Sequence, residues 1–210
     1  MSADLNLDIG WRITEKGFAK IVEHLKRANC RSMIEFGSGA STVRWVMAMP
    51  SLRVISVEHD PKYLSDTKQI IEECALSDSI ELWHRPLRHT WIGGRRFLTY
   101  SQPHFEHEVD CLIIDGPPGA TRRGREACLY FAYDVLKTGG LVVLDDAART
   151  AERRIIGNWM SVYPNSFELS LTQEGSGIAF LRKVRHEKPQ LSLGAFCDNY
   201  GTVAKEILSR

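Results

Sequence analysis

Apolar positions along the chain alternate between short continuous runs and longer stretches at helical spacing. Phe18, Ile21, Val22 and Leu25 recur at helical intervals and predict a helix over residues 14–28, with Glu15 near its start and Lys26-Arg27 near its end. Met33–Phe36 then reads as a buried strand, and Val43, Trp45 and Val46 as the inner face of a helix that stops at Pro50. The same alternation continues with strands at Leu52–Val57, Ser79–Trp83, Val109–Ile114 and Leu141–Leu144. Helices are predicted from Pro61, over Ala127–Leu136, and around Ile155, Ile156, Trp159 and Met160. Val109–Ile114 is almost uninterruptedly apolar, as a central parallel strand should be.

After the last of these helices the pattern changes. Phe167–Thr172 and Gly177–Val184 are two strands separated only by Gln173–Ser176, too short a link for a crossover, so they form an antiparallel hairpin. The expectation is an α/β fold: a doubly wound, mostly parallel seven-stranded sheet finished by that hairpin. Residues 1–184 form the domain, with Trp11 and Ile13 as N-terminal anchors. Residues 185–210 form an extension with a charged linker and a short helix over Val203–Leu208. Between Arg88 and His107 no periodicity stands out, and Trp91–Gly94 reads as a turn. His104 and His107 lie three apart without a further placed ligand and are read as surface residues rather than a metal site.

Composition narrows the function. With 210 residues and a net charge of +1, the chain has no global field to draw it to nucleic acid or anionic lipid. The five cysteines are scattered and odd in number, which fits a reducing cytoplasm and argues against a disulfide framework. No apolar h-region opens the sequence and no apolar run approaches a membrane span, so neither secretion nor a membrane is expected.

Candidate chemistry centres on Glu35-Phe36-Gly37-Ser38-Gly39-Ala40-Ser41-Thr42, a strand–glycine turn–helix junction. Glycines let a ligand lie against bare backbone, and the helix start offers it unpaired N–H groups. A third glycine would favour a dinucleotide, but Thr42 stands there. Glu35 at the strand end is expected to face the ligand, repelling a pyrophosphate and suiting the ammonium and sulfonium of S-adenosylmethionine. Glu58 ends the next strand about twenty residues beyond the glycine turn, the spacing at which a carboxylate meets a ribose diol.

These motifs, together with Ser56–Pro61 (SVEHDP) and Asp115–Gly119 (DGPPG), resemble those of a bacterial subgroup of class I S-adenosylmethionine-dependent methyltransferases. The resemblance spans about residues 35–184. It implies that Gly37, Ser38 and Gly39 cradle the methionine part of the cofactor and that Glu35 meets its amino group, directly or through water. It further implies Glu58 on the ribose, His59 beside the adenine, and Ser41 and Thr42 at the helix start. Asp115 would lie near the methionine and the transferring methyl. The acid that reads adenine in many relatives has no counterpart in His84-Arg85-Pro86-Leu87.

For the acceptor, a hydroxyl of a small molecule or sugar is expected, with Asp115 or Asp145 as base. Arg149, with Arg122, Arg123 and Arg125, is a candidate clamp for a substrate carboxylate. A metal-dependent catechol-type reaction is the alternative, since Asp115, Asp145 and Asp146 sit at matching places; the second acid and lysine of that pattern are absent after Asp115. A base methyltransferase would carry an aromatic where Gly119 stands, and is disfavoured. A non-catalytic S-adenosylmethionine-binding module and a homodimer through the C-terminal extension complete the expectations.

Overall fold

A computed structural model of the chain describes residues 13–190. The expected anchor Trp11 and the expected helix at 203–208 lie outside those residues.

Helix α1 (Glu15–Arg27) begins at Thr14, whose hydroxyl accepts the Gly17 N–H at 3.1 Å. Then come β1 (Ser32–Phe36), α2 (Ala40–Ala48), β2 (Arg53–Glu58), α3 (Pro61–Glu73) and β3 (Ile80–His84). Asp60 caps α3 by accepting from the N–H groups of Lys62 and Tyr63, with Pro61 opening the first turn. The order continues with β4 (Leu87–Ile92), β5 (Arg95–Tyr100), β6 (Val109–Ile114), α4 (Gly124–Ala132), β7 (Leu136–Leu144), α5 (Thr150–Val162), β8 (Phe167–Thr172) and β9 (Ile178–Lys183).

The seven-stranded sheet runs β3-β2-β1-β6-β7-β9-β8. Its first five strands are parallel, and β9 pairs antiparallel with both β7 and β8. The chain winds outward from β1 to β3 on one side and from β6 on the other. The reversal therefore falls between β1 and β6, which places the ligand crevice at their carboxyl ends.

Period-two alternation assigns each strand residue to a layer. Ile34, Phe36, Leu112 and Ile114 pack with Leu129 and Trp159 of α4 and α5. Met33, Cys111 and Ile113 pack with Ile21, Leu25, Val43 and Trp45 of α1 and α2.

Three local readings are corrected. The helix expected to reach Leu136 ends at Ala132, and Leu136 already pairs with Val109. Lys137–Gly140 is not a turn between elements but an irregularity within β7, where the register shifts between Val109 and Cys111 and Gly139 takes φ +88°. Residues 87–100 form a separate hairpin, β4–β5, turning at Gly93-Gly94. It packs on α4 through buried Phe97 and Thr99, the latter's hydroxyl donating to the Gly124 carbonyl at 2.9 Å. The charged linker at 185–188 lies against the domain: Glu187 accepts from Asn165 and Ser166, and its N–H donates to the Tyr133 hydroxyl.

Candidate active site

The carboxyl ends of β1 and β6 are stitched together by backbone. The Phe36 carbonyl accepts the N–H groups of both Asp115 and Gly116, and the Gly37 N–H donates to Val57. Gly37 sits at φ +102°, and a Cβ there would come within 2.9 Å of the Gly116 nitrogen. Only glycine fits that approach. A Cβ on Gly39 would meet nothing within 4 Å, so this part of the loop opens into space.

That space is a cavity of about 570 Å³. Its floor is Gly37, Ser38, Gly39 and Ser41, with Arg44 one turn further along α2. Glu58 and His59 end β2 beside it, with Tyr63 and Tyr100 close by. Asp115, Gly116, Asp145, Asp146 and Arg149 form the opposite wall, and Ile13 and Phe18 close one end.

Glu58 is buried and its carboxylate shapes the loop. Oε2 accepts the Ser38 N–H at 2.9 Å, while Oε1 accepts those of His59 and Asp60 at 2.7 and 2.8 Å. Burial alone would raise its pKa, but the His59 contact and these N–H groups hold it below the usual carboxylate range. His59 Nδ1 lies 2.7 Å from Oε1 without the alignment of a hydrogen bond. Glu58 is thus an ionised acceptor at the cavity edge.

Glu35 and Thr42 are not brought to the cavity wall. Alternation along β1 puts Glu35 on the Met33 face, beneath α2. There it is 1% exposed and accepts four hydrogen bonds, from Ser41 and Trp45 on one oxygen and from Thr42 and Ser56 on the other. Burial raises its pKa while these donors oppose the rise. Thr42 is fully buried and also accepts the Gly39 N–H at 3.1 Å. The expectation that Glu35 faces the ligand and repels a pyrophosphate is therefore corrected. Its carboxyl group fastens the glycine turn to the helix.

The second charged centre is built on the ends of β6 and β7. Oxygens of Asp115, Asp145 and Asp146 lie within 4.8 Å of one another. Buried Arg125 reaches them: its guanidinium is 3.6 Å from Asp115, 3.3 Å from Asp146 and 3.4 Å from Glu152. Arg149 pairs with Asp146 at 2.8 Å. Three carboxylates thus share two guanidiniums and Asp145 stands beside them, an excess of negative charge. Burial, with the neighbouring Asp146 charge outweighing part of the Arg125 attraction, pushes Asp115 up to about 6. Asp145 also rises to about 6, from burial and then the charge of Asp115. Asp146 holds φ +60°, an unusual conformation for a side-chain-bearing residue and one that clusters at functional sites.

The expected arginine clamp is only partly assembled. Arg149 lines the cavity, Arg125 is engaged with acids inside it, and Arg123 is tied to buried Glu126. Exposed Arg122 follows the short 3-10 turn Gly119–Thr121 and does not line the cavity. Sequence reasoning missed Arg44 and Tyr100. Tyr100 is buried with its hydroxyl unpartnered, in a segment whose pattern gave no strand.

The family described as "Methyltransferase domain" matches residues 34–147, more than half of the chain. No curated protein matches it by sequence. Among solved structures, the SAH-bound methyltransferase PaMTH1 of Podospora anserina is similar with a TM-score of 0.65 and 14% identity, over 82% of this chain and 80% of that one. The O-methyltransferase TomG of Streptomyces achromogenes, involved in tomaymycin synthesis and in complex with SAM, gives 0.60 and 12%, over 83% and 82%. An O-methyltransferase of Bacillus cereus in complex with SAH gives 0.59 and 16%, over 85% of both chains. At these identities the likeness establishes the fold.

Proposed function

The chain belongs to the methyltransferase-domain family, and on that premise we propose that it transfers a methyl group from S-adenosylmethionine to a hydroxyl of a small molecule or sugar. One observation carries the reading: an open glycine loop and an ionised Glu58 face Asp115 and Asp145 across one cavity at the β1/β6 switch point. In this assignment Glu58 accepts from the ribose hydroxyls, His59 and Tyr63 border the nucleoside, and Gly37, Ser38, Gly39 and Ser41 line the amino-acid part. Glu35 and Thr42 act through the loop they hold. The open face at Gly39 suits a nucleoside ligand of this kind.

The cofactor supplies a methyl group already activated by a sulfonium. The protein has to align the acceptor oxygen, exclude water and take a proton. Asp145 is the proposed base, with Asp115 beside it; a carboxylate whose pKa stands near 6 is a better base than an ordinary one and is still ionised at neutral pH. Arg149, fixed by Asp146, is placed to orient the acceptor. Asp145→Asn, assayed for turnover against a panel of hydroxylated acceptors, should lose most activity while binding S-adenosylhomocysteine normally. Unchanged turnover would remove Asp145 from the reaction.

A metal-dependent reaction is a second reading, favoured by the convergence of Asp115, Asp145 and Asp146. Their donor type and spacing fit a hard divalent cation, which would offset the negative excess, although Arg125 already supplies part of that compensation. Turnover abolished by a chelator and restored by Mg²⁺ would establish it, and turnover indifferent to both would leave the metal-free reaction. We further propose that the acceptor is not a nucleic acid, on the small net charge.

A further inference from the structure

Arg44 lines the cavity from the first turns of α2, three residues beyond Ser41 and on the same side of the helix. Its guanidinium lies 3.9 Å from the centre of the Phe18 ring, and its side chain is 18% exposed. Its partner is Glu15 at 2.6 Å, the first residue of α1, whose side chain is 77% exposed. The other cavity arginines differ. Arg125 is held among three acids, and Arg149 faces a largely buried Asp146. Arg44 is therefore a cation seated against an aromatic face whose counter-ion stands in solvent. Such a solvent-screened pair is weak and is readily exchanged for a better-desolvated carboxylate.

The position selects the ligand. Glu58 ends β2, on one side of β1. Helix α1, which carries Glu15 and Phe18, packs on the other side, toward β9, where Gly17 lies against Ile178. The glycine loop runs between them, with the Ser38 N–H on Glu58 at one end and Ser41 at the other. A molecule with its ribose at Glu58 that follows this loop brings its far end to Arg44. The acid cluster at Asp145 and Asp146 repels anions, so an anionic end is directed away from it.

We infer that Arg44 binds the carboxylate of the amino-acid end of S-adenosylmethionine, displacing Glu15, which acts as an internal competitor. The inference rests on the cofactor reading above and adds the residue that recognises the amino-acid half.

Two ligands separate the halves: S-adenosylhomocysteine carries the amino acid, and 5′-methylthioadenosine keeps the nucleoside and lacks it. Titration calorimetry of both into wild type, Arg44→Gln, Arg44→Lys and Glu15→Gln is the test. Arg44→Gln should weaken S-adenosylhomocysteine about tenfold or more, while methylthioadenosine changes by less than about twofold. Arg44→Lys should recover part of the loss. Glu15→Gln should tighten S-adenosylhomocysteine, by up to about fivefold at low salt, with no effect on methylthioadenosine.

The opposite signs matter, because an ion pair that merely braced α1 on α2 would weaken binding when either partner was removed. Weakening by Glu15→Gln, or equal effects of Arg44→Gln on both ligands, overturns the assignment. So does an Arg44→Gln effect confined to acceptor KM, which would place an acceptor carboxylate there instead. Should Arg44→Gln fail to fold, Glu15→Gln and Arg44→Lys decide alone. Absence of both ligands from wild type sinks the cofactor reading itself, and the assignment with it.

Discussion

Trp45 donates its indole N–H to Glu35 at 2.8 Å, across the glycine turn that separates β1 from α2. The bond joins the end of a central strand to the second turn of the next helix, and three hydroxyls complete the set around the carboxylate. The loop that faces the cavity is thus held from behind by a buried acid rather than by the ligand.

Removing that acid should unfold the loop's support. Glu35→Ala leaves four donors, three of them buried, without an acceptor and is expected to cost about 3 kcal/mol or more, lowering Tm by about 10 °C. Glu35→Gln should cost less. If its amide nitrogen takes the Thr42/Ser56 side, those hydroxyls can turn to accept, whereas the Trp45 N–H cannot. Thermal denaturation checks the order, and equal losses from both substitutions would contradict it.

Gly37→Ala sets a Cβ within 2.9 Å of the Gly116 nitrogen at a positive φ. The strain should lower stability by about 1–3 kcal/mol and pull the ends of β1 and β6 apart. Weakened S-adenosylhomocysteine binding together with a lowered Tm is the expected outcome. An unaffected Tm would mean that the close approach carries no strain.

Asp145 stabilises the fold only when protonated. Its folded pKa of about 6 stands above the unfolded value of about 3.9. Between these values the folded state binds more protons than the unfolded one, so stability falls as pH rises and is lowest above pH 6. Asp145→Asn is therefore expected to raise stability at pH 7.5 by about 1–2 kcal/mol, or about 3–6 °C in Tm. The gain should shrink as pH is lowered toward 4. A destabilised variant at pH 7.5 would show that the charge is better compensated than its neighbours suggest.

The same titration shapes the reaction. With Asp145 or Asp115 as base, turnover should rise with pH through an apparent pKa near 6, a value belonging to the coupled cluster rather than to one residue. In Asp145→Asn the residual turnover should keep a limb near pH 6 from Asp115, whose rise comes from burial and the Asp146 charge. A profile flat from pH 5 to 8 would remove both carboxylates as bases.

The centre of the parallel sheet was legible because β1, β6 and the end of β7 bury both faces and therefore read as largely apolar runs. The β4–β5 hairpin was not. It lies outside the main sheet, and exposed Arg88, His89, Trp91 and Arg96 leave it no apolar alternation. Gly139-Gly140 read as a turn because a bulge and a turn require the same residue. At the site, strand-end position identified Glu58, Asp115 and Asp145, which all line the cavity. Position alone misdirected Glu35, although its parity with Met33 and the donors Thr42 and Trp45 in the following helix carried the signal that it points inward. Arg125 read only as part of a clamp for a substrate carboxylate, since its actual partners Asp146 and Glu152 come more than twenty residues later.

The most direct test of the account is calorimetric titration of S-adenosylhomocysteine, with NAD in parallel, into the wild-type protein and Glu58→Ala. The account predicts saturable binding of S-adenosylhomocysteine alone, weakened by about tenfold or more in the variant through the lost ribose acceptor. Absence of S-adenosylhomocysteine binding, or binding of NAD in its place, would contradict it.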